Sequence, residues 1–260
     1  MILKTTLAGK VYEFRSVKEV MAKANELKSG DVLAGLAAES DSERVAAKEV
    51  LSNLLLSDLR NSPAVDYEAD DVTRMDQDGV DAGVYDRIKN WTVGEFREWL
   101  LSYDATESAI REIRKGLTAE MIAGVAKLMS NLDLIYAASK IRIETTCNTT
   151  AGGRGIFSTR LQPNHPTDDV EGITASLFEG LSYGCGDMLI GLNPVNDSVS
   201  SCAEILKRFH EVKTRWQIPT QNCVLAHITT QMEAVRQGAP TDLIFQSIAG
   251  SQKGNEAFGL

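Results

Sequence analysis

The side chains able to do chemistry gather in the second half of the chain, each at the end of a run that reads as a β-strand. The runs are 156–162, 187–193, 222–227 and 243–246, and they close on Arg160 and Gln162, on Asn193, on His227 and on Gln246. In a parallel α/β sheet or barrel, the carboxyl ends of the strands and their loops converge on one cavity, which makes these residues the short list. Arg160 and Gln162 stand two apart on one strand, so both leave the same face, toward the interior. Arg160 offers a fixed fork of donors, Gln162 a donor and an acceptor, and Asn193 a second amide, a set suited to orienting a small polar molecule. It includes no nucleophile paired with a base and no carboxylate pair, so ordinary hydrolysis is poorly served. The competing reading is that these residues cap strand ends or satisfy buried carbonyls, and His227 in particular reads as a hydrogen-bonded interior histidine.

Strand and helix units position this set. After Gln162, Thr167 or Asp168 can cap a helix with Val170, Ile173, Leu177 and Leu181 on one face, ending near Gly184 and Gly186. Asn193-Pro194 stops the next strand, Ser198 or Ser200 can cap a helix carrying Cys202, Leu206, Phe209 and Val212, and Pro219 precedes the third strand. A helix near 231–236, stopped by Gly238 and Pro240, leads to Leu243-Ile244-Phe245, and another helix begins after Gly250. The alternation predicts a parallel sheet. The run 141–147 lies only eight residues before Ile156, too close for a parallel crossover, so it reads as an antiparallel or lead-in strand. Residues 151–155, Ala-Gly-Gly-Arg-Gly, precede a strand and lack the Gly-Lys-Ser/Thr of a phosphate loop, so they read as a flexible turn. The fold class expected is α/β, the first half of a (β/α)8 TIM-type barrel, in preference to an open doubly wound sheet.

The N-terminal half reads differently. Residues 3–14 alternate about Gly9-Lys10 as a β-hairpin, and Ser16, Ser40 and Thr92 each stand three residues before a glutamate, as in a capping box. Val20, Ala24 and Leu27 mark one apolar face, and Val45, Val50, Leu51, Leu54 and Leu55 another. Residues 63–83 are acidic and poor in apolar side chains; they lack the ligand order of a calcium loop and read as a solvated surface loop. One long helix is expected from Thr118 to about Ala138, placed to close the bottom of the barrel. The domain plan is therefore 1–115, a hairpin and a mainly helical domain, then 116–260, the half barrel.

The formal net charge of −9, with 36 acidic and 27 basic residues among 260, argues against nucleic-acid and anionic-membrane partners. No signal-peptide stretch opens the chain and no run approaches the ~20 apolar residues of a membrane span, so the chain reads as cytoplasmic. Cys147, Cys185, Cys202 and Cys223 are widely spaced, with neither a C-x-x-C pair nor zinc-ligand histidines, and read as reduced, mostly buried thiols; no metal site is expected from protein side chains.

Specific runs of residues carry a family resemblance. They are Asn148-Thr149-Thr150, Phe157 through Asn164, Gly191-Leu192-Asn193-Pro194-Val195, Cys223 through Gln231, Gly238-Ala239-Pro240 and Leu243 through Ile248. Together with 3–7, 22–27 and 29–35 in the first half, they closely resemble the large subunit of ethanolamine ammonia-lyase over the whole chain. The resemblance implies a (β/α)8-barrel enzyme that converts ethanolamine to acetaldehyde and ammonia with adenosylcobalamin and a small subunit, in a homo- and hetero-oligomer, within a bacterial microcompartment. Homolysis of the cofactor's cobalt–carbon bond supplies the radical that takes hydrogen from the carbinol carbon. By resemblance, Arg160, Gln162 and Asn193 contact substrate, and Pro194 and Gln246 contact the corrin; no catalytic acid or base is assigned within the chain. The family's acidic substrate ligands belong to later barrel strands, so the chain reads as a truncated large subunit, inactive alone. The alternatives are a non-catalytic half-barrel assembly or scaffold protein, and a barrel lyase acting by acid/base steps.

Overall fold

Alternating residues on either side of Ala8-Gly9 fold the start of the chain into a hairpin, β1 (Lys4–Leu7) with β2 (Lys10–Glu13), Leu7 pairing with Lys10. Both turn residues have positive φ, 50° at Ala8 and 79° at Gly9, matching the twist of a tight hairpin. The structure is a computed structural model and describes residues 3–260.

Helices follow: α1 (Val17–Lys23), α2 (Ser29–Leu33), α3 (Asp41–Ser52), α4 (Leu56–Arg60), α5 (Asp71–Asp78), α6 (Ala82–Ile88), α7 (Val93–Leu101), α8 (Glu107–Ile113), α9 (Ala119–Leu128) and α10 (Asn131–Ser139). Ser16, Ser40 and Thr92 cap α1, α3 and α7, each hydroxyl accepting the amide three residues on. Only Thr92 closes the reciprocal box, with Glu95 accepting its amide at 2.7 Å. Glu19 and Glu43 reach one residue further back, to the amides of Arg15 and Glu39, both at 2.6 Å. Val20, Ala47, Leu51, Leu56, Leu59 and Phe96 meet in the core of this region.

Two expectations are corrected here. The acidic segment 63–83 is mostly helical, because its aspartates serve as caps: Asp70 accepts the amide of Thr73 at 2.7 Å and Asp81 that of Val84 at 3.0 Å, starting α5 and α6. Asp70 is buried, and its other oxygen accepts the amide of Gln252 at 2.6 Å; these backbone bonds hold its carboxyl below the usual range. The expected long helix from Thr118 is two helices, since Ser130 and Asp133 form their own capping box and restart the helix after an extended Met129.

The chain divides into two compact units. One takes in the chain to Ile141 with Gly250–Ala257, and the other is Arg142–Ala249 with Phe258–Leu260. Residue 115 thus falls inside the first unit, where Met121 and Val125 of α9 share the core of Leu51 and Phe96.

The second unit opens with a short antiparallel pair, β3 (Thr145–Thr146) and β4 (Thr150–Ala151), followed by a turn with Gly152 and Gly155 at φ of 95° and 74°. A parallel three-stranded sheet follows in the order β5 (Arg160–Leu161), β6 (Leu189–Leu192), β7 (Gln221–Val224). Its helices are α11 (Val170–Ser182), α12 (Val199–Arg215) and α13 (Ile228–Arg236). Leu161, Ile190, Leu192, Val224 and Ala226 pack with Ile173, Leu177, Leu206 and Phe209 of the helices, so the outer face of the sheet is apolar. The first strand is shorter than expected because the Asp187 carboxylate, at 2.8 Å, takes the Thr159 amide that a longer ladder would use. The fourth run, 243–246, is reduced to a single parallel bridge between Leu225 and Phe245. Among the described residues no helix is long and apolar enough to cross a membrane.

Candidate functional site

Side chains alternate across a strand, so the residues between the apolar outer positions face the other way. Arg160, Gly191 and Cys223 occupy those positions, Gly191 and Cys223 being registered partners, and Asn193 and Gln162 follow with the same parity just beyond their strands. Arg160 opens its own short strand and by register is level with Leu189 and Gln221, the first residues of theirs, so it stands at the amino end of the ladder and not at the carboxyl end expected, because the run from 156 to 159 is not strand. Arg160 is half-buried, while Gln162 and Asn193 are exposed.

The guanidinium of Arg160 is the most distinctive group of this face. Its Nε and Nη2 are buried and have no hydrogen-bond partner among the described residues. Its Cζ lies 4.8 Å from the centroid of the Phe245 ring, a cation–π contact. Cys223 feels the Arg160 charge, but burial dominates and pushes its thiol up to about 11, so it stays neutral and does not offset the guanidinium. Gln246, next to Phe245, donates from Nε2 to the Ser247 carbonyl at 2.8 Å and keeps a buried Oε1 with no partner. Buried polar groups are ordinarily paired, so the unpaired donors on Arg160 and the unpaired acceptor on Gln246 mark candidates for binding; Arg44, Arg97, Thr118 and Glu120 of the first unit also keep a buried unpaired atom, but not beside strand-end polar residues.

The loops at the strand ends are tied to one another through side chains. Asn164 accepts the Asn193 amide at 3.1 Å, and Asp168 accepts the amides of Val195 and Asn196 at 2.9 and 2.7 Å, which fixes the loop carrying Asn193 and Pro194. Asp197 of that loop accepts the His227 amide at 2.9 Å. Asp168 is therefore not the helix cap expected; Asp169 caps α11, accepting the Gly172 amide at 2.7 Å, and Asp168 is turned away at a φ of 54°. Ser198 caps α12 as expected.

His227 is spoken for. Its Nε2 lies 2.6 Å from the Phe258 carbonyl, which can only accept, so Nε2 carries the proton and Nδ1 accepts from the Thr229 hydroxyl and amide at 2.8 and 3.3 Å. It caps α13 and is a structural histidine.

A cleft of about 410 Å³ opens at the amino ends of the strands, among residues such as Ser158, Cys185, Asp187 and Pro219 that precede them. The Asp187 carboxylate there already accepts the amide and hydroxyl of Thr159, at 2.8 and 2.5 Å, which holds its pKa below the usual range. Among the described residues of this unit, the buried side-chain atoms without a partner are those of Arg160 and Gln246, and the candidate site is taken from them. Of the thiols, Cys202 and Cys223 are buried, Cys185 is half-buried and Cys147 is exposed.

Phe245, Asn164 and Gln231 were not singled out as site residues in the sequence, and Asp168 was read only as a helix cap. The paired aspartates ahead of a helix were the available signal for Asp168, because one helix needs only one such cap. Phe245 carried no comparable signal, since its partner lies 85 residues away in the chain (245 − 160).

Over residues 12–260 the chain matches the family described as ethanolamine ammonia lyase large subunit (EutB). It is 55% identical over 260 residues to the ethanolamine ammonia-lyase large subunit of Escherichia coli strain K12, and equally so to that of Salmonella typhimurium strain LT2. Each alignment covers 100% of this chain and 57% of the relative, so the chain spans little more than half the length of these curated relatives.

Proposed function

The chain belongs to the family of ethanolamine ammonia-lyase large subunits, and from that premise we propose that it serves the adenosylcobalamin-dependent deamination of ethanolamine to acetaldehyde and ammonia, together with a small subunit. The observation that carries the reading is the pair of buried, unpartnered nitrogens on Arg160, on the sheet face that Gln162 and Asn193 extend. Ethanolamine has a hydroxyl oxygen that accepts hydrogen bonds and an ammonium group that only donates. Arg160 can serve only the first of these, whereas the amide oxygens of Gln162 and Asn193 can accept from the second. The set thus sorts the two ends of the substrate by polarity.

The cofactor suits a site with donors and acceptors but no nucleophile: adenosylcobalamin, when bound, supplies the radical that abstracts hydrogen. Pro194 and Gln246 are the residues proposed to face the corrin. The unpaired Oε1 of Gln246 fits this role, because the peripheral carboxamides of a cobalamin carry N–H donors that a buried acceptor can take. The loop of Pro194 is held in place by Asn164 and Asp168, which is what a cofactor platform requires.

Sheet curvature supports the opening half of a (β/α)8 barrel. Arg160 and Phe245 are three strand steps apart along the sheet, about 14 Å at ~4.8 Å per step, yet their side chains touch. They meet only if the sheet curls so that its inner face is concave. The family reading also carries the domain plan, with a half barrel after an N-terminal hairpin and helices, and assembly into a homo- and hetero-oligomer within a bacterial microcompartment.

The test is acetaldehyde formation from ethanolamine by the large subunit carrying these residues, assembled with its small subunit, with and without adenosylcobalamin. Cofactor-dependent turnover supports the reading; assembly without turnover in the presence of cofactor would leave a scaffold instead.

A further inference from the structure

A binding-site arginine must be held still without having its N–H groups consumed, and the neighbour of Arg160 meets that demand. The face of the Phe245 ring, 4.8 Å from Cζ, attracts a guanidinium and fixes its plane while offering no lone pair to accept its N–H groups. A carboxylate in the same place would fix the guanidinium by taking those N–H groups, and would cancel its charge. Beside Phe245, Nε and Nη2 remain unpaired and out of water.

Phe245 is in turn held from α13. The buried side chain of Gln231 donates from Nε2 to the carbonyls of Ala226 and Phe245, at 2.6 and 2.7 Å, and its Oε1 accepts the Phe245 amide at 3.3 Å. One side chain therefore takes both backbone polar groups of Phe245.

We propose that Phe245, clamped by Gln231, is a positioning residue for Arg160, holding the guanidinium in the plane from which its free N–H groups meet the substrate hydroxyl oxygen. The proposal rests on the ethanolamine reading above. Phe245 acts through Arg160 and carries no chemistry of its own.

The test is a double-mutant cycle on the holoenzyme, with small subunit and adenosylcobalamin present and cofactor uptake confirming assembly of each variant. Phe245→Tyr keeps the ring and is expected to stay within about twofold of the parent in kcat/KM. Phe245→Leu keeps apolar bulk without the ring face and is expected to lose about tenfold. In an Arg160→Lys background the same change is expected to cost under about twofold, since a lysine presents a point charge with no plane to orient. Where turnover in that background is too slow, calorimetric affinity for ethanolamine closes the cycle. Equal losses in both backgrounds, or none in either, would overturn the positioning role while leaving the ethanolamine reading intact. If Arg160→Lys itself leaves kcat/KM unchanged, that reading fails at Arg160 and the proposal with it.

Discussion

Asp168 holds the amides of Val195 and Asn196 on its two carboxylate oxygens, at 2.9 and 2.7 Å, from a backbone at a φ of 54°. These bonds join the loop after β5 to the loop after β6, so the placement of Asn193 and Pro194 depends on a residue outside their own loop. Asp168→Ala would exchange two charge-assisted hydrogen bonds for bonds to water and put alanine in a left-handed conformation that aspartate and asparagine tolerate better. The expected cost is about 2 kcal/mol in urea unfolding, with a raised KM for ethanolamine in the assembled enzyme. Asp168→Asn keeps one acceptor and the backbone preference, so its effect on both readouts is expected to be about half as large.

Gly191 is small because of Cys223. A Cβ on Gly191 would lie 2.7 Å from the Cys223 sulfur and 3.2 Å from its carbonyl oxygen. Gly191→Ala is expected to destabilise the chain by about 1–3 kcal/mol, as overpacking in a tight core does. With the sulfur removed in Gly191→Ala/Cys223→Ala, most of that penalty should disappear, leaving the part due to the carbonyl. Thermal unfolding of both single variants and the double variant measures the coupling.

Burial raises the thiols of Cys202 and Cys223 from 9.0 to about 11. Between those two values the folded chain keeps protons that the unfolded chain has lost, so their contribution to stability is complete below pH 9 and falls as pH rises through the window to about 11. At pH 8, native-state alkylation should therefore mark the exposed Cys147 and spare Cys202 and Cys223. Replacing both buried cysteines by alanine should flatten the fall in urea-unfolding stability between pH 9 and pH 11. Labelling of Cys223 at the rate of an open thiol would contradict the packing of the inner face.

Local patterns carried much of this structure. Alternation placed the hairpin, hydroxyl–glutamate spacing placed the starts of α1, α3 and α7, and apolar runs located the parallel strands, although Arg160 opens the first of them and does not end it. The misses share one cause, competition by side chains for backbone groups. Asp70 and Asp81 start helices in a stretch whose composition reads as loop, Ser130 and Asp133 divide an otherwise continuous apolar stripe, and Asp187 takes the amide of Thr159 just before the first strand. Arg160 and Phe245 are 85 residues apart, so no local window over either one contains their contact. Of the candidate site, the polar residues in and just beyond the strands could be named from the sequence and the Phe245 ring beside Arg160 could not, because a phenylalanine in an apolar run carries no mark of what it faces.

We propose that the unpaired nitrogens of Arg160 bind substrate. The most direct test is steady-state deamination of ethanolamine by Arg160→Ala and the parent subunit, each assembled with the small subunit and adenosylcobalamin. The account predicts a fall in kcat/KM of about a hundredfold, the loss of charge-assisted hydrogen bonds in a buried site, with cofactor uptake unchanged. Turnover within twofold of the parent would contradict it.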